Sequence, residues 1–473
     1  MSPPLLQEPV EAPSGTRLRV LLVPDSIYWV LGTIAKAIAR YNPWIEPTIV
    51  SGPILDHLVG NDPGFFHRFD LVHFICPYVS RDWLPSLKDR VPVVTSHHHV
   101  TDWSAIAHNM EGDAIVVGAD EWGRDVIARG ASADRVVKVP YGVDSNLFVP
   151  ASPGQRAQVR ARLRLSASAP VIGFFAKKGS NDDDRKGIDI FLKAAVGLRA
   201  EIPTSGVLIV GPGWQELVDR LRAAGVRCAW VPFVEDLREV AALYHALDFY
   251  WVTARVEGGP VPLLEAMSTE ACCLTTPVGL AREIVEDGMN AVLLPMNDPQ
   301  AVIDRTVSLW SDAASRRAMG KRARETITSR MHIADTLQGV RDAYKTAVAT
   351  FADRNPSYMI PDIDRLATTK RENDRFLGAE SFTLSGLTLQ ERNRIPMVEA
   401  LAWSENLLLY QRQRGAALKL ILKAWRSNPF SIQPVRVALR RFLPPGLVAS
   451  IVRAKRRLIG NPARRSLDVG GKS

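Results

Sequence analysis

Short runs of consecutive apolar residues recur along the first three quarters of the chain, and amphipathic stretches separate them. Such unbroken runs are typical of strands that are buried on both faces of a parallel sheet. After the first run a helical pattern extends from Thr33 to Tyr41. Strands alternating with helices predict an α/β protein with doubly wound sheets. The predicted strands are Leu18–Asp25, Thr48–Val50, Leu71–Ile75, Val91–Ser96, Ala114–Val117, Val136–Val139, Val171–Phe175, Val207–Val210, Ala229–Phe233 and Phe249–Thr253.

The stretch from Glu257 to Pro295 carries the clearest candidate chemistry. Glu257 and Glu265 are separated by seven residues, which include two glycines and two prolines. Glycine lets a backbone approach a ligand closely, and proline suits the start of a helix. We therefore expect Glu257 in a loop at a strand end and Glu265 in the first turn of a helix. Amides at a helix start bind phosphate or polar sugar groups, and the carboxylates can accept hydrogen bonds from vicinal hydroxyls.

This stretch resembles the E-x7-E signature of the retaining glycosyltransferases of family 4, which have the GT-B fold. The resemblance continues through Thr276–Gly279 (TPVG) and Glu283–Gly288 (EIVEDG), and it covers roughly residues 17–350. It implies two Rossmann-like doubly wound domains facing a cleft, with an α-helical C-terminal extension. It also implies a retaining hexosyltransferase that moves a sugar from a UDP- or GDP-linked donor to a glycan or lipid-linked acceptor, in the synthesis of cell-surface polysaccharide or glycoconjugate.

The resemblance also assigns roles to residues. Glu257 would hold the sugar, and His97, selected by the Thr-x-His spacing, would lie near the donor sugar and the acceptor. Two cations would neutralise the diphosphate, where negative charge grows as the nucleotide departs; they are Lys186 before a glycine and Lys177, with Lys178 as the alternative. Catalytic roles fall on Glu257, His97 and Lys186, and donor contacts on Lys177, Lys186, Gly258, Gly259, Pro260, Val261, Glu265, Val231, Phe233 and Gly32.

Two clusters resemble metal sites but favour other interpretations. His97–His99 are consecutive, and adjacent side chains of an extended segment point to alternating faces, so the three rings cannot converge on one ion. For His98 and His99 we expect structural roles. Asp182–Asp184 resemble the DxD metal motif of the other glycosyltransferase fold, but they adjoin Arg185 and Lys186 and favour solvated charge partners. We therefore expect no metal and no cofactor.

Composition adds an asymmetry of charge. The net charge is +9, yet residues 406–467 hold fourteen Lys and Arg and no Asp or Glu, which leaves 45 basic and 50 acidic residues elsewhere. Basic amphipathic helices with Trp and Leu fit an anionic membrane surface; the alternative is a packed helical cap with a solvated basic face. No nucleic-acid signature occurs. With no spanning apolar run and no signal peptide, and with four cysteines that lack ligand spacing, we expect a cytoplasmic protein, peripheral at the inner face of the membrane.

Two other functions remain open: a GT-B nucleotide-sugar epimerase, and a non-catalytic nucleotide-sugar- or glycan-binding protein docked at the membrane. A phosphorylase would need a pyridoxal-bearing lysine, for which the sequence holds no signal.

The sequence predicts seven segments. They are a disordered leader (1–16), an N-terminal acceptor domain (17–150), a linker with a short helix (151–169), a nucleotide-sugar domain (170–335), a crossover helix (336–354), a connector (355–398) and a basic helical tail (399–473).

Overall fold

A computed structural model describes residues 17–99, 102–179, 182–234, 236–366 and 414–427. The chain divides into two compact units, residues 1–388 and 389–473. The first unit holds two six-stranded sheets in which every strand pair is parallel. The expected pair of Rossmann-like α/β domains is confirmed.

The first domain has the strand order β2-β1-β3-β4-β5-β6. Its strands lie within a few residues of the predicted runs, but the first helix begins three residues earlier than predicted. The elements are β1 (Leu18–Val23), α1 (Val30–Tyr41), β2 (Ile45–Ile49), α2 (Gly52–Asn61), β3 (Leu71–Phe74), α3 (Leu84–Leu87), β4 (Val93–His97), β5 (Ala114–Val117), α4 (Asp120–Ala128) and β6 (Val136–Lys138).

The second domain has the strand order β12-β11-β10-β7-β8-β9. Its elements, with the helices that follow them, are α5 (Pro153–Arg162), β7 (Val171–Phe175), α6 (Asp182–Arg185), α7 (Ile188–Glu201), β8 (Gly206–Val210), α8 (Gln215–Ala223), β9 (Arg227–Val231), α9 (Leu237–Tyr244), β10 (Phe249–Val252), α10 (Val261–Ser268), β11 (Cys272–Thr275), α11 (Ala281–Ile284), β12 (Val292–Leu293), α12 (Pro299–Ser311), α13 (Ala313–Arg330), α14 (Ile333–Thr336) and α15 (Gly339–Arg354).

The unbroken apolar runs form central strands because both faces of each sheet are covered. Every residue of β7, β8, β10 and β11 is buried. Apolar residues of α15 lie in the core of the first domain with Leu18 and Val20, so the chain returns to the first domain after completing the second. On that helix the Tyr344 hydroxyl lies 3.1 Å from Nδ1 of the buried His73. The segment predicted to cross back at residues 336–354 therefore corresponds to α15.

We expected residues 151–169 to be a linker with a short helix, and that helix packs into the second domain. Helix α5 begins with a capping box made by Ser152 and Gln155. Its Arg160 is only 2% exposed, and its Nη2 lies 2.5 Å from Oδ2 of Asp248. Arg156 pairs with the other oxygen of Asp248. The polar composition that indicated a linker thus includes a buried ion pair.

In the second unit the structure describes one helix, α16 (Arg414–Ser427). One of its faces is buried, while Leu418, Leu422 and Trp425 are 43%, 43% and 47% exposed. No helix of the described residues is long and apolar enough to span a membrane. The leader at residues 1–16, most of the connector and the rest of the tail lie outside the described residues.

Candidate functional site

The candidate site lies at the carboxyl edge of the second sheet, where β7 and β10 are neighbours. From these two central strands the sheet continues in opposite directions, β8 and β9 on one side and β11 and β12 on the other. Loops that follow two such strands leave a crevice between them, which is where open α/β sheets bind ligands. The loop after β7 carries Lys177 and Lys186, and the loop after β10 carries Glu257.

Glu257 is paired with two cations at once. Nζ of Lys186 lies 2.7 Å from its Oε1, and Nη1 of Arg185 lies 2.8 Å from its Oε2. Burial raises the pKa of Glu257, but Lys186 and Arg185 outweigh burial, and the pKa falls to about 2. Glu257 is therefore ionised at neutral pH and can only accept hydrogen bonds. Trp122 of the first domain donates to its backbone carbonyl at 3.1 Å.

The turn that carries these two cations is hydrogen-bonded to the loop after β10. The Thr253 hydroxyl donates to the carbonyls of Lys186 and Gly187, each at 3.1 Å, and the Arg255 amide donates to the carbonyl of Arg185 at 2.7 Å. Gly187 has a φ of +61°, and a Cβ there would lie 2.0 Å from the Thr253 carbonyl oxygen. Only glycine fits this position, which explains the Lys-Gly pair.

The three consecutive aspartates before this turn act as charge partners, but only Asp183 and Asp184 are solvated as predicted, whereas Asp182 is buried. Oδ1 of Asp182 lies 2.6 Å from Nη2 of Arg185, and Oδ2 of Asp183 lies 2.8 Å from Nζ of Lys178. Asp184 pairs with Arg255 at 3.2 Å. Within the described ranges, no group of three or more His, Cys, Asp or Glu side chains is arranged to hold a metal ion.

The two lysines after β7 point to different partners. Lys178 pairs with Asp183 and lies over the Trp214 ring, 5.5 Å from its centroid. Nζ of Lys177 instead lies 4.0 Å from Oδ2 of Asp25, which follows β1 in the first domain. Burial raises the pKa of Asp25, and Lys177 opposes that rise. Of the two candidates, Lys177 is therefore the one that faces the first domain.

We expected Glu265 in the first turn of α10. It lies in the second turn, because the helix begins at Val261. Its Oε2 accepts a hydrogen bond of 2.6 Å from the hydroxyl of the buried Tyr244. Burial raises the pKa of Glu265 to about 7, although the Tyr244 hydrogen bond lowers it. The two glutamates of the E-x7-E pair thus differ in charge state near neutral pH.

The glycine pair of the loop is in contact with the first domain. A Cβ on Gly258 would lie 2.1 Å from the His98 carbonyl oxygen, and one on Gly259 would lie 2.2 Å from the Tyr141 ring. The Tyr141 hydroxyl lies 2.5 Å from Nδ1 of His98, and His98 Nε2 lies 2.8 Å from the Ile75 carbonyl. Since that carbonyl can only accept, Nε2 carries the proton and Nδ1 accepts from Tyr141. Both ring nitrogens of His98 are thus hydrogen-bonded within the first domain, which fits the structural role predicted for it.

His97 and His99 have different surroundings. His97 is buried with its ring edge-on to Trp103 and Trp122. Neither of its ring nitrogens has a hydrogen-bond partner among the described residues, and burial lowers its pKa to about 4. Burial and the nearby Arg185 lower the pKa of His99 to about 4 as well, against the opposite influence of Glu257. His99 therefore belongs to the surroundings of Glu257.

Three further predicted donor contacts remain predictions. The Val231 carbonyl at the end of β9 accepts a bond of 2.9 Å from the Gly211 amide, and Phe233 is half-buried two residues beyond that strand. A Cβ on Gly32 would lie 2.3 Å from the Ser26 carbonyl oxygen. Gly32 thus lets α1 pack closely on the loop after β1.

Sequence reasoning missed Arg185, Tyr141 and Tyr244 as neighbours of the site. Arg185 contacts Glu257, Tyr141 contacts the glycine pair, and Tyr244 contacts Glu265. Arg185 was visible only as a charge partner of the aspartates. The signal for Tyr141 was the glycine pair itself, since two adjacent glycines indicate that another group approaches closely.

Comparison with known proteins is consistent with this geometry. Residues 169–312 match the family described as glycosyl transferases group 1. The chain is 29% identical over 221 residues to the D-inositol 3-phosphate glycosyltransferase of Xylanimonas cellulosilytica, a match that covers 45% of this chain and 52% of the relative. It is 26% identical to the GDP-mannose-dependent alpha-(1-6)-phosphatidylinositol monomannoside mannosyltransferase of Mycolicibacterium smegmatis, over 53% of this chain and 71% of the relative. The chain spans about half the length of the first of these relatives.

Among solved structures, Anabaena HepE in complex with UDP and glucose superposes with a TM-score of 0.60. The superposition covers 69% of this chain and 99% of HepE at 18% sequence identity, so the likeness concerns the fold. The two parallel-sheet domains have the GT-B arrangement. Residues 169–312 of this GT-B chain therefore resemble the glycosyl transferases group 1 family.

Proposed function

We propose that the protein is a glycosyltransferase that binds a nucleotide sugar at the carboxyl edge of the second sheet. The observation that carries the proposal is the pairing of ionised Glu257 with Lys186, in a domain that matches the glycosyl transferases group 1 family. A carboxylate beside the sugar and cations beside the diphosphate are the groups that sugar transfer from a nucleotide requires. Glu265, four residues into α10, would accept hydrogen bonds from the ribose hydroxyls.

The charges of the site support a transfer driven by departure of the diphosphate. Lys186 and Lys177 would stabilise the negative charge that develops on the leaving nucleotide. Glu257 is a weak base and a weak nucleophile, because its pKa is about 2. We therefore infer retention of the anomeric configuration, with the acceptor hydroxyl attacking the face from which the diphosphate leaves. His97 of the first domain is the candidate to contact the sugar or the acceptor, because neither of its ring nitrogens has a hydrogen-bond partner among the described residues.

The names of the similar proteins suggest the class of substrates. HepE binds UDP and glucose, and the M. smegmatis relative uses GDP-mannose and acts on a phosphatidylinositol mannoside. We propose a UDP- or GDP-linked hexose as donor and a glycan or lipid-linked acceptor, as in the synthesis of cell-surface glycoconjugates. Because lysines supply the positive charge at the diphosphate, we propose that transfer requires neither a metal ion nor a cofactor.

We further propose that the tail binds an anionic membrane surface at the cytoplasmic face. Leu418, Leu422 and Trp425 form an exposed apolar face on α16, and Lys419 on the same helix is also exposed. The helix lies in the segment 406–467 that holds fourteen basic and no acidic residues. An apolar face within a basic segment is the pattern of helices that lie in the plane of an anionic membrane.

Thermal shifts with UDP, GDP, ADP and their common sugar conjugates test the donor proposal. A ligand at about a hundred times its dissociation constant stabilises by about 2.7 kcal/mol, so one nucleotide should stand out. The conjugate of that nucleotide is then incubated with and without candidate acceptors. Glycosylated acceptor is the expected product. A changed nucleotide sugar formed without acceptor would indicate an epimerase, and binding without turnover would indicate a non-catalytic binding protein.

Lys186→Ala tests the diphosphate clamp. We expect turnover to fall about a hundredfold or more, as when a group that stabilises developing charge is removed. The variant should remain folded, since Arg185 still pairs with Glu257 at 2.8 Å. The control is Lys193→Ala, an exposed lysine of α7, which should keep normal turnover. The proposed role is excluded if Lys186→Ala has an unchanged melting temperature and still shows near-normal turnover.

A further inference from the structure

Arg185 joins two carboxylates within the site. Its Nε and Nη2 donate to Oδ1 of Asp182 at 2.9 and 2.6 Å, and its Nη1 lies 2.8 Å from Oε2 of Glu257. Nη1 also donates to the Val256 carbonyl at 3.3 Å. The guanidinium side chain is only 11% exposed. Arg185 is thus fixed from several sides, while Lys186 contacts Glu257 through the other carboxylate oxygen, Oε1.

This arrangement creates a competition when a nucleoside diphosphate binds. The ammonium group of Lys186 cannot remain fully directed at Glu257 and also neutralise the diphosphate. Removing the only counter-ion of a buried carboxylate is strongly unfavourable in free energy. With a second cation already on Oε2, Glu257 can release Lys186 without becoming unpaired, and its Oε1 becomes available to a sugar hydroxyl.

We propose that Arg185 is a positioning residue that keeps Glu257 ionised and in place while the diphosphate of the donor takes over Lys186. The inference rests on the proposed function, since it requires a nucleoside diphosphate at Lys186. Arginine suits this role because its planar fork can bond to Asp182 and Glu257 together, whereas a lysine is a point charge on a flexible stem.

The other groups that face Glu257 do not supply a replacement charge. They are His99 from the segment after β4, Tyr141 from the end of the first domain and Tyr250 from β10. Burial lowers the pKa of His99 to about 4, so its ring is neutral near pH 7. Burial raises the pKa of both tyrosines, which are neutral as well. Arg185 and Lys186 are therefore the cations on which Glu257 depends among the described residues.

The test measures proton uptake when UDP, or whichever nucleoside diphosphate stabilises the protein, binds to Arg185→Gln. In the unbound variant Lys186 still pairs with Glu257. In the complex Glu257 has lost both cations, so its pKa rises and it takes up a proton. Relative to wild type, the affinity of Arg185→Gln should therefore increase as the pH is lowered from 8 to 6, by up to about tenfold per pH unit. Calorimetry in two buffers of different ionisation enthalpy should show up to about one additional proton bound.

Glu257→Gln and the double variant Glu257→Gln/Arg185→Gln supply the control. Without a charge at position 257, removal of Arg185 should change neither the pH dependence nor the proton count. An equal effect of Arg185→Gln in both backgrounds, or no extra proton uptake in the single variant, would overturn the inference. If wild type itself binds no nucleoside diphosphate, the proposed function fails, and this outcome is distinct from the other two.

Discussion

At the scale of single residues, the two glutamates of the site belong to the same E-x7-E motif but have different electrostatic surroundings. Glu257 has two cations on its oxygens, whereas Glu265 has the neutral Tyr244 hydroxyl. Burial therefore dominates at Glu265 and raises its pKa from 4.5 to about 7. With Glu265 in its proposed role at the ribose, its ionisation near pH 7 should therefore control donor binding.

Glu265 should make donor binding and stability depend on pH. Ribose hydroxyls that donate to the carboxylate favour its ionised form, so wild-type affinity for the nucleotide should weaken as pH falls below about 7. Because the pKa is raised in the folded state, ionisation destabilises the fold: the free energy of unfolding should decrease as pH rises from 4.5 to about 7.

Glu265→Gln supplies the comparison for both effects. The variant cannot ionise, so its nucleotide affinity should be lower near pH 8 and nearly independent of pH. Its stability relative to wild type should rise with pH over the same window. Binding and denaturant unfolding measured at several pH values check these outcomes. Parallel pH profiles for the two proteins would mean that Glu265 does not titrate in this range.

At the scale of elements, one carboxylate of the second domain, that of Asp248, pairs with two arginines of α5. Asp248 accepts from Arg160 at 2.5 Å and from the Val171 amide at 2.9 Å, and it pairs with Arg156. Asp248→Ala leaves the buried Arg160 without its counter-ion, although its bonds to backbone carbonyls remain. Breaking a buried ion pair costs about 3–5 kcal/mol. Urea unfolding should show this loss.

Asp184→Ala is the matched control for that prediction, because Asp184 pairs with Arg255 at a surface where its own side chain is 90% exposed. Exposed ion pairs contribute about 0–1 kcal/mol, so this variant should differ little from wild type. Equal stabilities of the two variants would show that the Asp248 pairs contribute no more than surface charges do.

The elements also show what the sequence can predict. Strands such as β1 and β7 were located within two residues, because burial on both faces demands unbroken apolar runs. The short helix expected before the second domain, α5, was not predicted to pack, since its mostly polar residues conceal the buried Val159 and Arg160. The roles of Arg185 and Tyr141 depend on partners far away in the sequence, Glu257 and the glycine pair, and no local pattern encodes such contacts.

At the scale of the whole molecule, the charge asymmetry leads to a prediction about the tail. The full-length protein should float with vesicles that contain phosphatidylglycerol and not with vesicles of phosphatidylcholine alone, and added salt should weaken the binding. Replacing Leu418, Leu422 and Trp425 by serine removes the exposed apolar face of α16. At about 1 kcal/mol for each half-exposed side chain, binding should fall roughly a hundredfold.

The control is the pair Met359→Ser and Ile360→Ser, which removes exposed apolar side chains, 48% and 60% exposed, from the other unit of the chain. This variant should bind vesicles as wild type does, because its changes lie outside the basic segment. A tail that serves only as a packed cap with a solvated basic face predicts a different pattern. In that case neither variant would alter flotation, and the full-length protein would not distinguish the two kinds of vesicle.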